Sequence, residues 1–343
     1  MSVDDRFEDL LDALAGFYRS WLIYLGLELG LMRQLHDATS GGLTTDELAQ
    51  RSGCARVPVQ GWCRAAYAYN LLEANQPGSE SARFSIDAEL AAVLLDEERP
   101  EYLGGQFLFT VGASQDYGRM LDFFRTGEPL RQRSASFHRF VEKLNTQDIA
   151  VFFEQALPEL TELRQRLQRA GAAALDVACG GGLWLLAAAR TFPELRLQGL
   201  DFEPELIERA QGRLAEAGLS DRIMIEPGDP SRDLPAGPFA LVYIQDILHE
   251  LPEPTVVLGS AWSRVEPGGM LVVLDWCIPD DWIEYRTPFG ELIWGYQLDE
   301  LYQGTSLLTR SEFKRLFEKA GIGTPELLEL EAGASLFLAR REG

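Results

Sequence analysis

The chain has 343 residues, of which 46% are hydrophobic and 24% charged, with a formal net charge of -22 at pH 7. That length allows two domains and a sizeable core, and the composition is that of an ordinary globular protein. So acidic a balance repels nucleic-acid phosphates and anionic membrane surfaces. The four cysteines, Cys54, Cys63, Cys179 and Cys277, form no C-x-x-C pair, which argues against a disulfide framework or a cysteine zinc site and fits a reducing compartment. No apolar run reaches the length of a membrane span, and the opening MSVDDRFEDL lacks the apolar core of a signal peptide, so the expected location is the cytoplasm.

Apolar residues at helical spacing predict a helix over residues 6–37. Thr44 or Thr45 caps a short helix with Glu47 in its first turn, and Gly53 ends it. A second helix is expected from about Val57 to Leu72, and after the turn NQPGSES the stretch ARFSID reads as a short strand. Helix, turn, helix and strand hairpin in this order is a winged-helix layout. A DNA-reading helix carries several Arg or Lys residues. This one, VPVQGWCRAAYAYNLLE, offers Arg64, with Arg56 just before it. A DNA-binding regulator is therefore disfavoured, and the segment reads as a dimer interface. The apolar WLIYLGLELGL also calls for a partner surface.

Residues 90–165 read as helical and aromatic-rich. Phe107, Phe109, Tyr117, Phe123 and Phe124, with the later Trp282, Trp294 and Tyr296, are candidate walls of an apolar pocket. From about residue 165 short strands alternate with helices: AALDVA, RLQGLDF, RIMIEPG, ALVYIQD and MLVVLDW, which implies parallel β-α units. LLELE and ASLFLAR are too close in sequence for a crossover and should pair antiparallel at one edge.

Three consecutive glycines, Gly180 to Gly182, follow the first of these strands at its C-terminal edge, where open α/β sheets bind ligands. Glycine lets a ligand approach the main chain. Asp201 ends the second strand, about 20 residues on, where an acid can accept hydrogen bonds from both hydroxyls of a ribose. Leu185 stands where a dinucleotide fold wants its third glycine, and there is no P-loop.

The run D-x-x-C-G-x-G from Asp176 to Gly182 resembles motif I of class I S-adenosylmethionine (SAM) methyltransferases. GLDFEPELIERA, IEPGDPSRDLP, FALVYIQDILHELPEP, RVEPGGMLVVLDW and LLTRSEFKRLFEKAGI are similar to the family's later segments. With the winged-helix start, nearly the whole chain resembles the O-methyltransferases that include plant caffeate-type and bacterial natural-product tailoring enzymes. The resemblance implies an α/β fold: a Rossmann-like seven-stranded domain, mostly parallel with an antiparallel last strand, preceded by a mainly α winged-helix domain. It implies a dimerisation domain over 1–100, a helical linker contributing to the substrate pocket over 101–165 and the SAM-binding domain over 166–343, in a homodimer. Around the cofactor it places Asp176, Ala178, Gly180, Gly182, Asp201, Phe202, Gly228, Asp229, Pro230, Gln245 and Asp246. Asp229 would meet the adenine amino group and Pro230 its face.

Of the three histidines, His36 and His138 read as ordinary surface or core residues. His249 falls at the family's general base, with Asp275 as its supporting carboxylate. An imidazole titrating near 6.5 can take a hydroxyl proton at neutral pH. Glu250 could simply face solvent, and Asp246 serves the cofactor or the strand end. The chain departs from the family twice. Ala178 replaces a glycine, which is tolerable if its φ is negative, and Leu307 replaces a second glutamate. No metal is expected, since no acid-rich triplet is evident beside His249. The expected activity is methyl transfer to the hydroxyl of a small, aromatic or polyketide-like acceptor. Carbon or nitrogen methylation, or SAM binding without methyl transfer, are the alternatives.

Overall fold

The structure is a computed structural model that describes residues 2–38, 41–330 and 333–343. It divides into two compact units, Met1–Tyr117 with Ser134–Gln147, and Gly118–Arg133 with Asp148–Gly343. The segment expected as one linker over 101–165 is thus shared out between the units.

In the first unit a capping box of Ser2 and Asp5 starts the helix Val3–Glu28. The single helix expected over 6–37 is interrupted, because Gly30 takes a left-handed φ of 67° and a new helix, Leu31–His36, begins there. Strand β1 (Leu43–Thr44) leads into the helix Thr45–Ser52, capped by Thr44 and Glu47 and closed by a left-handed Gly53. The next helix, Arg56–Ala68, stops short of Leu72 because Asn70 turns left-handed at φ 54°. Asparagine tolerates that conformation and ends helices for the same reason as glycine. The hairpin β2 (Glu73–Asn75) and β3 (Arg83–Ser85) completes an antiparallel sheet of order β1-β3-β2. Leu31, Met32, Leu48, Trp62 and Leu94 form its apolar core.

The second unit is built on strands β4 (Ala173–Val177), β5 (Arg196–Asp201), β6 (Ile223–Pro227), β7 (Phe239–Gln245), β8 (Val265–Asp275), β9 (Glu326–Glu329) and β10 (Ser335–Arg340). Their order is β6-β5-β4-β7-β8-β10-β9. β4 to β8 run parallel, and β10 is antiparallel to both its neighbours, β8 and β9. The chain winds outward from β4 through β6 and then returns to β7, so the order reverses between β4 and β7. That reversal opens a crevice at the carboxyl ends of these two strands. The strands there are mainly apolar because both sheet faces are covered. Leu241 and Tyr243 of β7 belong to one core cluster, and Val242 and Ile244 to the other.

Candidate active site

β4 runs straight into the glycine turn. Ala178, Gly180 and Gly182 all have positive φ, at 57°, 52° and 73°, and Gly182 caps the helix Leu183–Thr191. The condition under which alanine would sit there without strain, a negative φ, is therefore not met. The chain reverses through a left-handed residue there, which costs a side chain roughly 1–2 kcal/mol. A Cβ placed on Gly180 would meet nothing within 4 Å, so the turn presents open backbone.

Asp201, 3% exposed at the end of β5, holds this turn. Its carboxylate accepts the Gly180 N–H at 2.7 Å and the Glu203 N–H at 2.9 Å, and its backbone carbonyl accepts the Gly228 N–H at 2.9 Å. A carboxylate has about four lone-pair sites, so Asp201 keeps capacity for ribose hydroxyls. Burial raises its pKa against the pull of those N–H groups. Asp176, 3% exposed, lies behind it and is raised well above the carboxylate range by burial and by the Asp201 charge. Phe202 is 46% exposed beside the turn. Asp229 is bound within its own loop by Ser231 and Arg232, which hold its carboxyl below the usual range, while Pro230 is buried. An open glycine edge, a buried ribose-type acid and an apolar wall fit an adenosyl group.

At the end of β7 the side chains behave less as expected. The Tyr243 hydroxyl donates to Gln245 Oε1 at 2.9 Å, and Gln245 Nε2 donates to Asp246 Oδ2 at 3.2 Å. Asp246 has φ 47° and lies near Asp148, whose charge acts on it, and the Oδ1 atoms of both are buried without a hydrogen-bond partner. Asp148 is fully buried and accepts the Trp276 Nε1–H at 2.9 Å. Burial, set against these hydrogen bonds, pushes Asp148 up to about 7, and burial together with Asp148 and Asp275 pushes Asp246 well above the usual range. Asp148 sits at the end of an amphipathic helix with no sequence signal to mark it.

His249 lies just beyond β7, its side chain 5% exposed. Nδ1 is 3.0 and 3.2 Å from the two oxygens of Asp275, at the end of β8. A carboxylate only accepts, so Nδ1 carries the proton. Nε2 faces two further acids, Glu250 Oε1 at 3.8 Å and Glu300 Oε2 at 3.7 Å. Glu300 comes from the helix Pro288–Gln303, and its Oε2 also accepts from Gln303 Nε2 at 2.7 Å and Thr305 Oγ1 at 2.5 Å. Burial disfavours the imidazolium, but Asp275, Glu300 and Glu250 outweigh it and push His249 up to about 10. That balance of nearby charges favours the imidazolium. Glu250 is raised by the protein packed around it and by Glu300.

The expectation that no acid-rich group sits beside His249 is also overturned. Among the described residues, His249, Glu250 and Glu300 bring three donor atoms within 4.8 Å of one another. Glu300 is a site residue that sequence reading missed, because the helix that delivers it lies some 50 residues downstream. Leu307 is buried in the apolar core. The candidate pocket aromatics are divided between the two units. In the first unit, Phe109 packs on Phe137 and Phe107 against the core. In the second, Phe123 packs on Tyr302, Trp294 on Tyr285 and Tyr296 on Trp276, while Phe124 and Trp282 are largely exposed. In the helix that follows the glycine turn, Trp184 stacks on Tyr243 of β7, with centroids 4.5 Å apart.

The chain is similar to known methyltransferases in sequence and in fold. The chain is 26% identical over 337 residues to mitomycin biosynthesis 6-O-methyltransferase of Streptomyces lavendulae, covering 95% of this chain and 92% of that one. It is 33% identical over 106 residues to ubiquinone biosynthesis O-methyltransferase of Xanthomonas axonopodis pv. citri (strain 306). That match spans 31% of this chain and under half, 44%, of the relative. Among solved structures, human N-acetylserotonin methyltransferase in complex with SAM superposes with a TM-score of 0.72 at 20% identity, each chain covered in full. The mitomycin 7-O-methyltransferase superposes with a TM-score of 0.68 at 23% identity, with 98% of each chain covered. These two likenesses establish the fold. The methyltransferase domain model matches residues 152–323, half of the chain. The protein belongs to the methyltransferase-domain family, with S-adenosylmethionine as its methyl donor.

Proposed function

We propose that the protein is an O-methyltransferase acting on a small hydroxylated acceptor of the natural-product type, with His249 as general base and Asp275 as the group that orients it. The supporting observation is the His249–Asp275 pair at the carboxyl ends of β7 and β8, beside the open glycine turn. Asp176, Ala178, Gly180, Gly182, Asp201, Phe202, Gly228, Asp229, Pro230, Gln245 and Asp246 form the cofactor side, with Asp201 on the ribose. Bound there, SAM supplies a methyl group already activated by its sulfonium. The chain's own task is then to align the acceptor oxygen and remove its proton. Asp275 fixes the ring so that Nε2 faces the acceptor, as an orienter must.

The mitomycin-pathway relative favours oxygen as the target over carbon or nitrogen. The first unit favours a homodimer. On the helix Val3–Glu28, Phe7, Leu10, Leu11, Leu14, Phe17 and Tyr18 are all more than half exposed, an apolar stripe that a partner copy would cover.

The test pairs binding with turnover. S-adenosylhomocysteine should bind in calorimetry, NAD should not, and Asp201→Ala should weaken the former. With SAM and a panel of phenolic acceptors, wild type should add one methyl group to oxygen. Asp275→Asn should lose about 100-fold or more in rate. Full activity of Asp275→Asn would remove His249 from the base role.

A further inference from the structure

We infer that Asp148 and Asp246 form an acceptor-side subsite for a protonated amine, so that the hydroxyl to be methylated belongs to an amine-bearing acceptor. The inference deepens the proposal above and rests on it, since it takes the carboxyl ends of β7 and β8 as the place where the acceptor lies.

The two carboxyls reach that place from different elements. Asp246 follows the last residue of β7, and Asp148 stands in the last turn of the helix Phe137–Val151. Phe152, one turn further on, packs on Tyr243 of β7 with ring centroids 4.9 Å apart, which lays this end of the helix against the strand. Trp276, directly after β8, ties Asp148 down from the other side. The pair lies on the base side of the crevice, for Asp275 acts on both carboxyls and the His249 charge acts on Asp246.

Each carboxyl is half satisfied. Asp148 Oδ2 accepts the indole N–H of Trp276, and Asp246 Oδ2 accepts the side-chain amide of Gln245, both neutral donors. Oδ1 of each is buried and meets no donor, and Asp148 is 0% exposed. A buried acceptor without a donor costs free energy, which a ligand recovers by donating to it. A hydroxyl brings one hydrogen and no charge, so it serves one of the two oxygens. An alkylammonium brings several hydrogens and a positive charge, so it serves both, through the stronger charge-assisted bonds. A cation held there also favours the ionised form of both carboxyls, against the burial that raises them. The net charge of -22 works in the same direction, because an acidic protein concentrates cations around itself.

The test reads binding, apart from methyl transfer. Phenols that carry an ammonium one, two or three carbons from the ring are titrated by calorimetry at pH 7 into the full chain saturated with S-adenosylhomocysteine. Each is compared with the neutral alkylphenol of the same length. At least one amine should bind about 10-fold or more tightly than its neutral counterpart, the worth of a charge-assisted hydrogen bond to a carboxylate. Asp148→Asn keeps the shape and an oxygen for Trp276 but removes the charge. It should erase most of that preference and leave the affinities for S-adenosylhomocysteine and the neutral phenols as they were. Equal binding of every amine and its counterpart by the wild type overturns the inference, and that comparison needs no variant to fold. A preference that survives intact in Asp148→Asn overturns it too. So does a matching loss of S-adenosylhomocysteine affinity in the variant, which would give the two oxygens to the cofactor's own ammonium. Failure of the base reading shows separately, as full methyl transfer by Asp275→Asn, and leaves the binding preference where it was.

Discussion

Ala178 shows how one residue can be legible in kind and wrong in detail. Its place in the motif is read easily from Asp176 and Gly180. Its φ of 57° is not, because it is set by the reversal that aligns the Gly180 N–H with Asp201. A side chain in that region carries strain that glycine lacks. Ala178→Gly should therefore stabilise the protein by about 0.5–1 kcal/mol. In a unit of this size that raises the unfolding midpoint by roughly 2 °C. Differential scanning calorimetry would show it, and a lower midpoint would mean that the alanine methyl makes contacts that outweigh the strain. At His249 the position was legible but the acid facing Nε2 was not, because Glu300 reaches it through packing and through no local pattern.

At the scale of elements, the strand alternation of the second unit was almost wholly legible. β4, β7 and β8 are mainly apolar because both sheet faces are covered, and their carboxyl ends followed from that order. What escaped were the helix interruptions at Gly30 and Asn70, where one left-handed residue overrides periodicity over a dozen neighbours. The delivery of Glu300 and Asp148 from helices distant in sequence escaped as well. The glycine turn offers a direct check that it is a ligand shelf. Gly180 and Gly182 are both left-handed, so alanine strains both. A Cβ on Gly182 comes 3.2 Å from the Cβ of Ala210, whereas one on Gly180 projects into open space. Gly182→Ala should thus lower thermal stability more than Gly180→Ala. Gly180→Ala should instead weaken S-adenosylhomocysteine binding about 10-fold or more, since its methyl occupies the face that the ligand needs. Wild-type affinity in Gly180→Ala would mean that nothing lies against that backbone.

The whole molecule is acidic in two distinct ways, and both tie its stability to pH. Its net charge of -22 makes the folded state repel itself. It also buries acids whose pKa values are raised on folding: Asp148, Asp176, Asp201, Asp246 and Asp275, with Glu250 beside them. Between the ordinary carboxylate range near pH 4 and about pH 7, the folded chain binds more protons than the unfolded one, so stability falls as pH rises. His249 extends the trend, because a pKa raised from 6.5 to about 10 gives a contribution fully present below 6.5 and lost as pH climbs through 10. Glu47 and Asp229 have lowered values and oppose the trend only weakly, since both are open to water. The unfolding midpoint should therefore be higher at pH 6 than at pH 9, by several degrees. Added salt should narrow the gap by screening the net charge, without removing the share that belongs to the buried groups. Calorimetric scans at both pH values, in low and high salt, separate the two contributions. A gap that vanishes in salt would assign the whole effect to surface charge. A midpoint that rises towards pH 9 would mean that the buried acids are ionised in the fold and stabilised by partners, against the raised values at Asp148 and Asp246.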